Sequence, residues 1–186
     1  MPELPPLCVS RWFNTAEPMV LDALRGRVVA IHTFQMLCPG CVAHGLPQAV
    51  RLRETFPEDQ LAVIGLHTVF EHHDVMGPTA LEVFIHEYRL RFPIGVDQAS
   101  ESGSVPKTMA AWGLQGTPSL VLLDRQGQVQ LQHFGRIDDM ALGALVGQLL
   151  ERPFIAASSQ AMPDGALDRA PDAANLCSAD ACQLPV

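Results

Sequence analysis

Residues 28–51 read VVAIHTFQMLCPGCVAHGLPQAVR: an apolar run, then Cys-Pro-Gly-Cys, then a helical pattern. Val28, Val29, Ile31 and Phe34 predict a buried strand, because β-branched and aromatic residues dominate and no breaker interrupts them. Pro39 stands where a helix would begin, its fixed φ and missing N–H suiting a first turn. Cys38 then falls at the cap of that helix and Cys41 one turn further on. The free N–H groups and positive dipole end at such a cap favour a thiolate over a thiol and make the sulfur a nucleophile. Two sulfurs three positions apart on one helical face can close a disulfide reversibly. The chemistry suggested is thiol–disulfide exchange.

Outward from this stretch, the helix is expected to continue to about Thr55, kinked at Pro47. LAVIGLH (61–67) predicts a second buried strand, parallel to the first because a helix joins them. Residues 68–78 are too polar and broken for a core and read as a loop. Helical spacing returns over 79–90, followed by a strand at 93–97 and a short helix over 105–112. Strands at 119–124 and 129–134 flank the turn Arg125-Gln126-Gly127-Gln128, and an amphipathic helix over 138–150 is capped by Asp138 or Asp139. Residues 9–13 suit an edge strand and 21–26 a turn. The order is that of an α/β fold, a mixed central sheet flanked by helices. From Pro153 the composition shifts to Ala, Ser, Asp and Pro with little periodicity. That predicts one domain over residues 1–152 and an extended C-terminal tail over 153–186.

A formal net charge of −8 over 186 residues argues against non-specific binding to nucleic acid or to anionic membranes. No apolar stretch is long enough to span a bilayer, and the first residues carry neither a basic nor an apolar leader region. A cytoplasmic monomer is the expectation. The cysteines are Cys8, Cys38, Cys41, Cys177 and Cys182. In a reducing compartment a purely structural disulfide framework is not expected, and a C-x-x-C among alternating strands and helices reads as redox-active. A zinc ribbon would need a second C-x-x-C, which the sequence lacks. No cofactor and no metal is called for.

VVAIHTFQMLCPGC, Pro47, FPIGVD and WGLQGTPSLVLLDRQGQVQLQHFG together resemble the TlpA-like branch of the thioredoxin superfamily, over roughly residues 9–150. The resemblance implies a thioredoxin fold and a thiol–disulfide oxidoreductase acting on protein thiols and disulfides, reset by an upstream reductant or oxidant. It makes Cys38 the attacking cysteine and Cys41 the resolving one. It makes Thr117-Pro118 a cis-proline turn that binds extended substrate backbone. Three positions depart from the family pattern: Leu37 stands where tryptophan is usual, His32 where a buried aspartate or asparagine is usual, and Pro47 lies six rather than five after Cys41. A peroxiredoxin is disfavoured, since Ile31 and Gln35 occupy its proline and threonine positions.

His32, beneath the motif, is a candidate for proton transfer to or from Cys41, against the alternative of a hydrogen-bonded core histidine. His44 is a candidate for tuning the thiols, against an exposed helix histidine. His67, His72, His73 and His86 raise the alternative of a copper- or zinc-handling module, though no familiar ligand spacing appears; a loop shaping the substrate groove is the preferred reading. A further alternative is a thioredoxin-fold interaction domain whose disulfide is structural. Cys177 and Cys182 form a second pair. The linker before them has a random-coil reach of roughly 25–30 Å, enough to return to Cys38 at an effective concentration of order mM. A dithiol relay is the hypothesis, against a disordered end with two incidental thiols. Cys8 is read as a quiet core thiol.

Overall fold

The computed structural model describes residues 4–154. Its sheet is built from β1 (Val9–Phe13), β2 (Val28–Phe34), β3 (Leu61–His67), β4 (Ile94–Asp97), β5 (Ser119–Leu123) and β6 (Val129–Phe134). These strands lie in the order β1-β4-β3-β2-β5-β6. β2 and β3, and β3 and β4, pair in parallel, while β1, β5 and β6 join antiparallel. The helices are α1 (Leu46–Thr55), α2 (Pro78–Glu87), α3 (Lys107–Ala111) and α4 (Asp139–Glu151).

β2 and β3 are buried along their whole length, as central parallel strands covered on both faces must be. Alternation sends Val28, Ala30 and Phe34 to the face covered by Leu46 and Ala49 of α1, Leu81 of α2 and Leu142 of α4. Val29 and Ile31 face the other way, onto Leu24, Met109 and Trp112. Each Val, Ile, Leu, Met or Phe among them contributes about 1.5–3 kcal/mol when fully buried, so the middle of the sheet carries much of the burial that holds the fold together. Among the described residues no helix is long and apolar enough to cross a membrane.

Register decides what gathers at the carboxyl end of β2. Phe34 pairs with His67, and the Thr68 N–H donates to the Phe34 carbonyl at 3.0 Å, so residues 68–77 leave the sheet beside the cysteine motif. Thr33 pairs with Ser119, which brings Thr117 and Pro118 to the same edge from the antiparallel side. Motif, loop and turn meet there.

Two expectations need correction. The helix after Cys38 is not one α-helix kinked at Pro47. Cys41–Gly45 forms a π-turn, with the Leu46 N–H donating to the Cys41 carbonyl, and α1 starts at Leu46 with Pro47 in its first turn. Proline lacks the N–H an interior helical residue must donate, and the wider turn just ahead of it accommodates that gap while the backbone stays right-handed helical through Gly45 and Leu46. Cys8 is half-buried rather than in the core, because it precedes an edge strand that has only one covered face.

Candidate active site

The chain turns sharply out of β2. The Cys38 N–H donates to the Gln35 carbonyl (3.2 Å), and the Val42 N–H returns to the Cys38 carbonyl (3.1 Å). This first turn aims the Cys41 N–H at the Cys38 sulfur, 3.3 Å away. The Cys38 thiol in turn donates to the Thr117 carbonyl at 3.4 Å. Cys38 and Cys41 are both free thiols, but their settings differ: Cys38 is half-buried and Cys41 is 0 % exposed. Burial first, and then the Cys38 side chain alongside, pushes the Cys41 thiol up to about 12. One sulfur faces outward with a backbone donor in place for negative charge. The other is held as a neutral thiol inside.

The Thr117–Pro118 peptide bond is cis, and the proline ring lies against the start of the motif helix. A Cβ at Gly40 would stand 3.2 Å from Pro118 Cδ, and one at Gly45 would stand 3.0 Å from Pro118 Cβ. The approach needs both glycines, which gives the Pro-Gly dipeptide of the motif a steric reason.

Pro118 and its neighbours border two separate hollows. On one side Cys38 and Thr117 line a groove of about 280 Å³ with Leu37, Phe70, Glu71 and Val75. On the other, His32, His44, Pro118, Gln48, Arg51 and Asp139 line a cavity of about 40 Å³, room for a water molecule or two. His32 is 2 % exposed, its Nε2 has no hydrogen-bond partner, and burial lowers its pKa to about 4. Asp139 closes that cavity, accepting from Gln48 Nε2 (2.6 Å) and pairing with Arg51 (2.8 Å); Gln48 and then Arg51 hold its carboxyl below the usual range. The structure thus gathers Cys38 with Thr117, and His32 with His44, on different sides of one turn.

The remaining histidines scatter. His67 is fully buried against the Phe34 ring, centroids 5.2 Å apart, with neither ring nitrogen hydrogen-bonded; burial lowers its pKa to about 4. His72 lines the Cys38 groove with φ +50°, His73 is exposed on the same loop, and His86 is exposed on α2 beside Glu87. Among the described residues no three His, Cys, Asp or Glu side chains come together as a metal-holding group. Cys177 and Cys182 lie outside the described residues.

Sequence reasoning passed over Gln35. Its buried side chain accepts from the Phe70 N–H (3.4 Å) and donates to Glu71 Oε1 (3.3 Å) and Thr117 Oγ1 (3.5 Å), tying the loop to the turn. The available signal was a glutamine continuing an apolar strand, where an amide must find partners.

No protein-family model matches the sequence, and no curated protein matches it. Solved structures do. The crystal structure of a thioredoxin-like superfamily protein is 50 % identical, with a TM-score of 0.80, covering 82 % of this chain and 99 % of its own. A thiol-disulfide isomerase from Corynebacterium glutamicum is 49 % identical, with a TM-score of 0.78, covering 82 % of this chain and 97 % of its own. A thioredoxin-like protein solved in its oxidized form shares the fold at 22 % identity and a TM-score of 0.62, over 78 % of this chain and 95 % of its own.

Proposed function

Because the chain belongs to the thioredoxin-like superfamily of thiol-disulfide oxidoreductases, we propose that Cys38 and Cys41 exchange two electrons with protein disulfides or dithiols. The observation that carries this reading is the asymmetry of the pair: a sulfur on an open groove, 3.3 Å from a backbone N–H, beside a fully buried thiol. Run from the dithiol, the Cys38 thiolate attacks one sulfur of a substrate disulfide. The substrate S–S bond breaks, one substrate thiolate leaves, and a mixed disulfide forms. Cys41 gives up its proton and attacks the Cys38 sulfur, expelling the second substrate thiolate and leaving a Cys38–Cys41 disulfide. An upstream dithiol resets the pair by the same steps, and all of them reverse when the protein starts oxidised.

Thr117 and Pro118 are the substrate-binding turn in this proposal. His32 offers the Cys41 proton a buried acceptor, Nε2, on the sheet face against which Cys41 packs. In the resting dithiol, burial favours the neutral form of both groups, so any transfer belongs to the resolving step. His44, on the same small cavity, tunes the pair from outside. Cys177 and Cys182 act as a second dithiol that relays electrons between the Cys38–Cys41 pair and an external partner.

The test is reduction of insulin disulfides by the full chain. Cys38→Ser is expected to abolish turnover, and Cys41→Ser to accumulate a mixed disulfide through Cys38. His32→Leu should slow release of that intermediate without slowing its formation. A Cys38–Cys177 or Cys38–Cys182 bridge trapped in Cys41→Ser supports the relay, while undiminished turnover in Cys177→Ser/Cys182→Ser removes it. Full activity in Cys38→Ser would end the whole reading.

A further inference from the structure

The groove beside Cys38 carries a charge that the exchange chemistry does not use. Its walls are largely apolar: Leu37 and Val75, each with more than half of its surface exposed, line it together with Phe70 and Met76. Glu71 is the one carboxylate lining it among the described residues. Among the described residues that carboxylate pairs with no Lys, Arg or His; its hydrogen bond comes from the neutral amide of Gln35, at 3.3 Å. An exposed carboxylate beside apolar walls, with a neutral amide as its donor, is open to an incoming cation, and the walls raise the strength of any pair formed there above that on open surface.

Gln35 gives that carboxylate a fixed place. Its oxygen is committed to the Phe70 N–H and its nitrogen is shared between Glu71 and Thr117, so one amide sets the loop against the turn that also holds Cys38 through the Thr117 carbonyl. The glutamine amide carries an acceptor oxygen and a two-proton donor nitrogen on one group, which these three contacts together use.

We propose that this groove selects disulfides whose cysteine is flanked by an apolar residue and a cationic one, with Glu71 receiving the cation and Gln35 acting as the positioning residue that holds Glu71. The proposal rests on the thiol–disulfide reading above. The occupant is an extended segment of a substrate protein, the apolar side chain lying between Leu37 and Val75 and a lysine or arginine reaching Glu71. Its cysteine meets Cys38, and the exchange is the one already written: two protein thiols become one disulfide as one substrate disulfide becomes two thiols.

The experiment mixes the reduced full chain with symmetrical disulfides of two blocked tripeptides, acetyl-Leu-Cys-Lys-amide and acetyl-Leu-Cys-Glu-amide, and separately with hydroxyethyl disulfide. Loss of protein thiols is followed by mass spectrometry. At about 100 mM salt, where the long-range pull of the −8 net charge is largely screened, the lysine peptide is expected to react about fivefold faster than the glutamate peptide, the size of a partly screened ion pair. Glu71→Gln should bring that ratio close to one, and Glu71→Lys should invert it. Glu17→Gln, which removes the same charge from an exposed site elsewhere, should keep the ratio. Gln35→Met should lower the ratio while leaving Glu71 in the sequence, as a positioning role requires. Equal peptide rates in the wild type, or a ratio that survives Glu71→Gln, overturns the selectivity; an unchanged ratio in Gln35→Met overturns the role of Gln35. Charge-blind peptides alongside brisk reaction with hydroxyethyl disulfide sink this inference alone. Failure of all three disulfides to oxidise the protein sinks the oxidoreductase reading beneath it.

Discussion

At the scale of single residues, burial sets the chemistry. Iodoacetamide should label Cys38 in the native protein and spare Cys41, whose thiol is fully buried and raised to about 12; peptide mapping of the labelled chain reads this directly. Equal labelling would mean that the inner thiol is neither buried nor protonated as described. His32 and His67 make a second prediction. Both titrate near 6.5 when unfolded and at about 4 in the fold, because burial disfavours their charged form. Between those values the unfolded chain binds more protons. Their contribution to stability is therefore complete above about pH 6.5 and is lost as the pH falls toward 4, by up to about 3 kcal/mol for each. His67→Leu should flatten the fall in urea midpoint between pH 7 and pH 4.5, and an unchanged slope would exclude the mechanism. The closeness of Cys38 and Cys41 was legible, because three positions make about one helical turn. The contacts of Gln35 with Phe70, Glu71 and Thr117 were not, because they depend on which distant loop packs beside it.

At the scale of elements, the motif helix and the cis-proline turn form one packed unit. Gly45→Ala places a methyl 3.0 Å from the Pro118 ring. Overpacking costs typically 1–3 kcal/mol, against a gain of at most about 1 kcal/mol in helix propensity. Net destabilisation is expected, with a larger loss of insulin reduction than of urea stability, since the turn displaced is the one beside Cys38. At the other end of the fold, Asp138 accepts from the Met140 and Ala141 N–H groups as the cap of α4, and Asp138→Ala should cost about 1 kcal/mol by urea titration without altering exchange rates. The sequence patterns located β2, β3 and α4 closely, because apolar period and capping chemistry are local signals. The π-turn at Cys41–Gly45 escaped them. Proline announces a disturbance in a helix, but whether the chain bends or widens is decided by what it packs on, here the Pro118 ring.

At the scale of the whole molecule, the fold class followed from the order of elements, since a strand–helix–strand start leaves few ways to build a mixed sheet. The meeting of three distant segments at one edge needed register, which no periodicity supplies. Net charge adds a prediction at this scale. With a formal charge of −8, the chain should favour cationic disulfides most at about 10 mM salt, where the screening length is roughly 30 Å, and much less at 100 mM, where it is roughly 10 Å. A preference indifferent to salt would point to contact alone. The partition raised by Pro118 has a further consequence. In the proposed scheme sulfur traffic enters by one door and the hydrogen ion handed to His32 leaves by another, so a bulky client plugging the first need not dam the second. Large and small clients should then show the same solvent deuterium effect on resolution, however differently they dock.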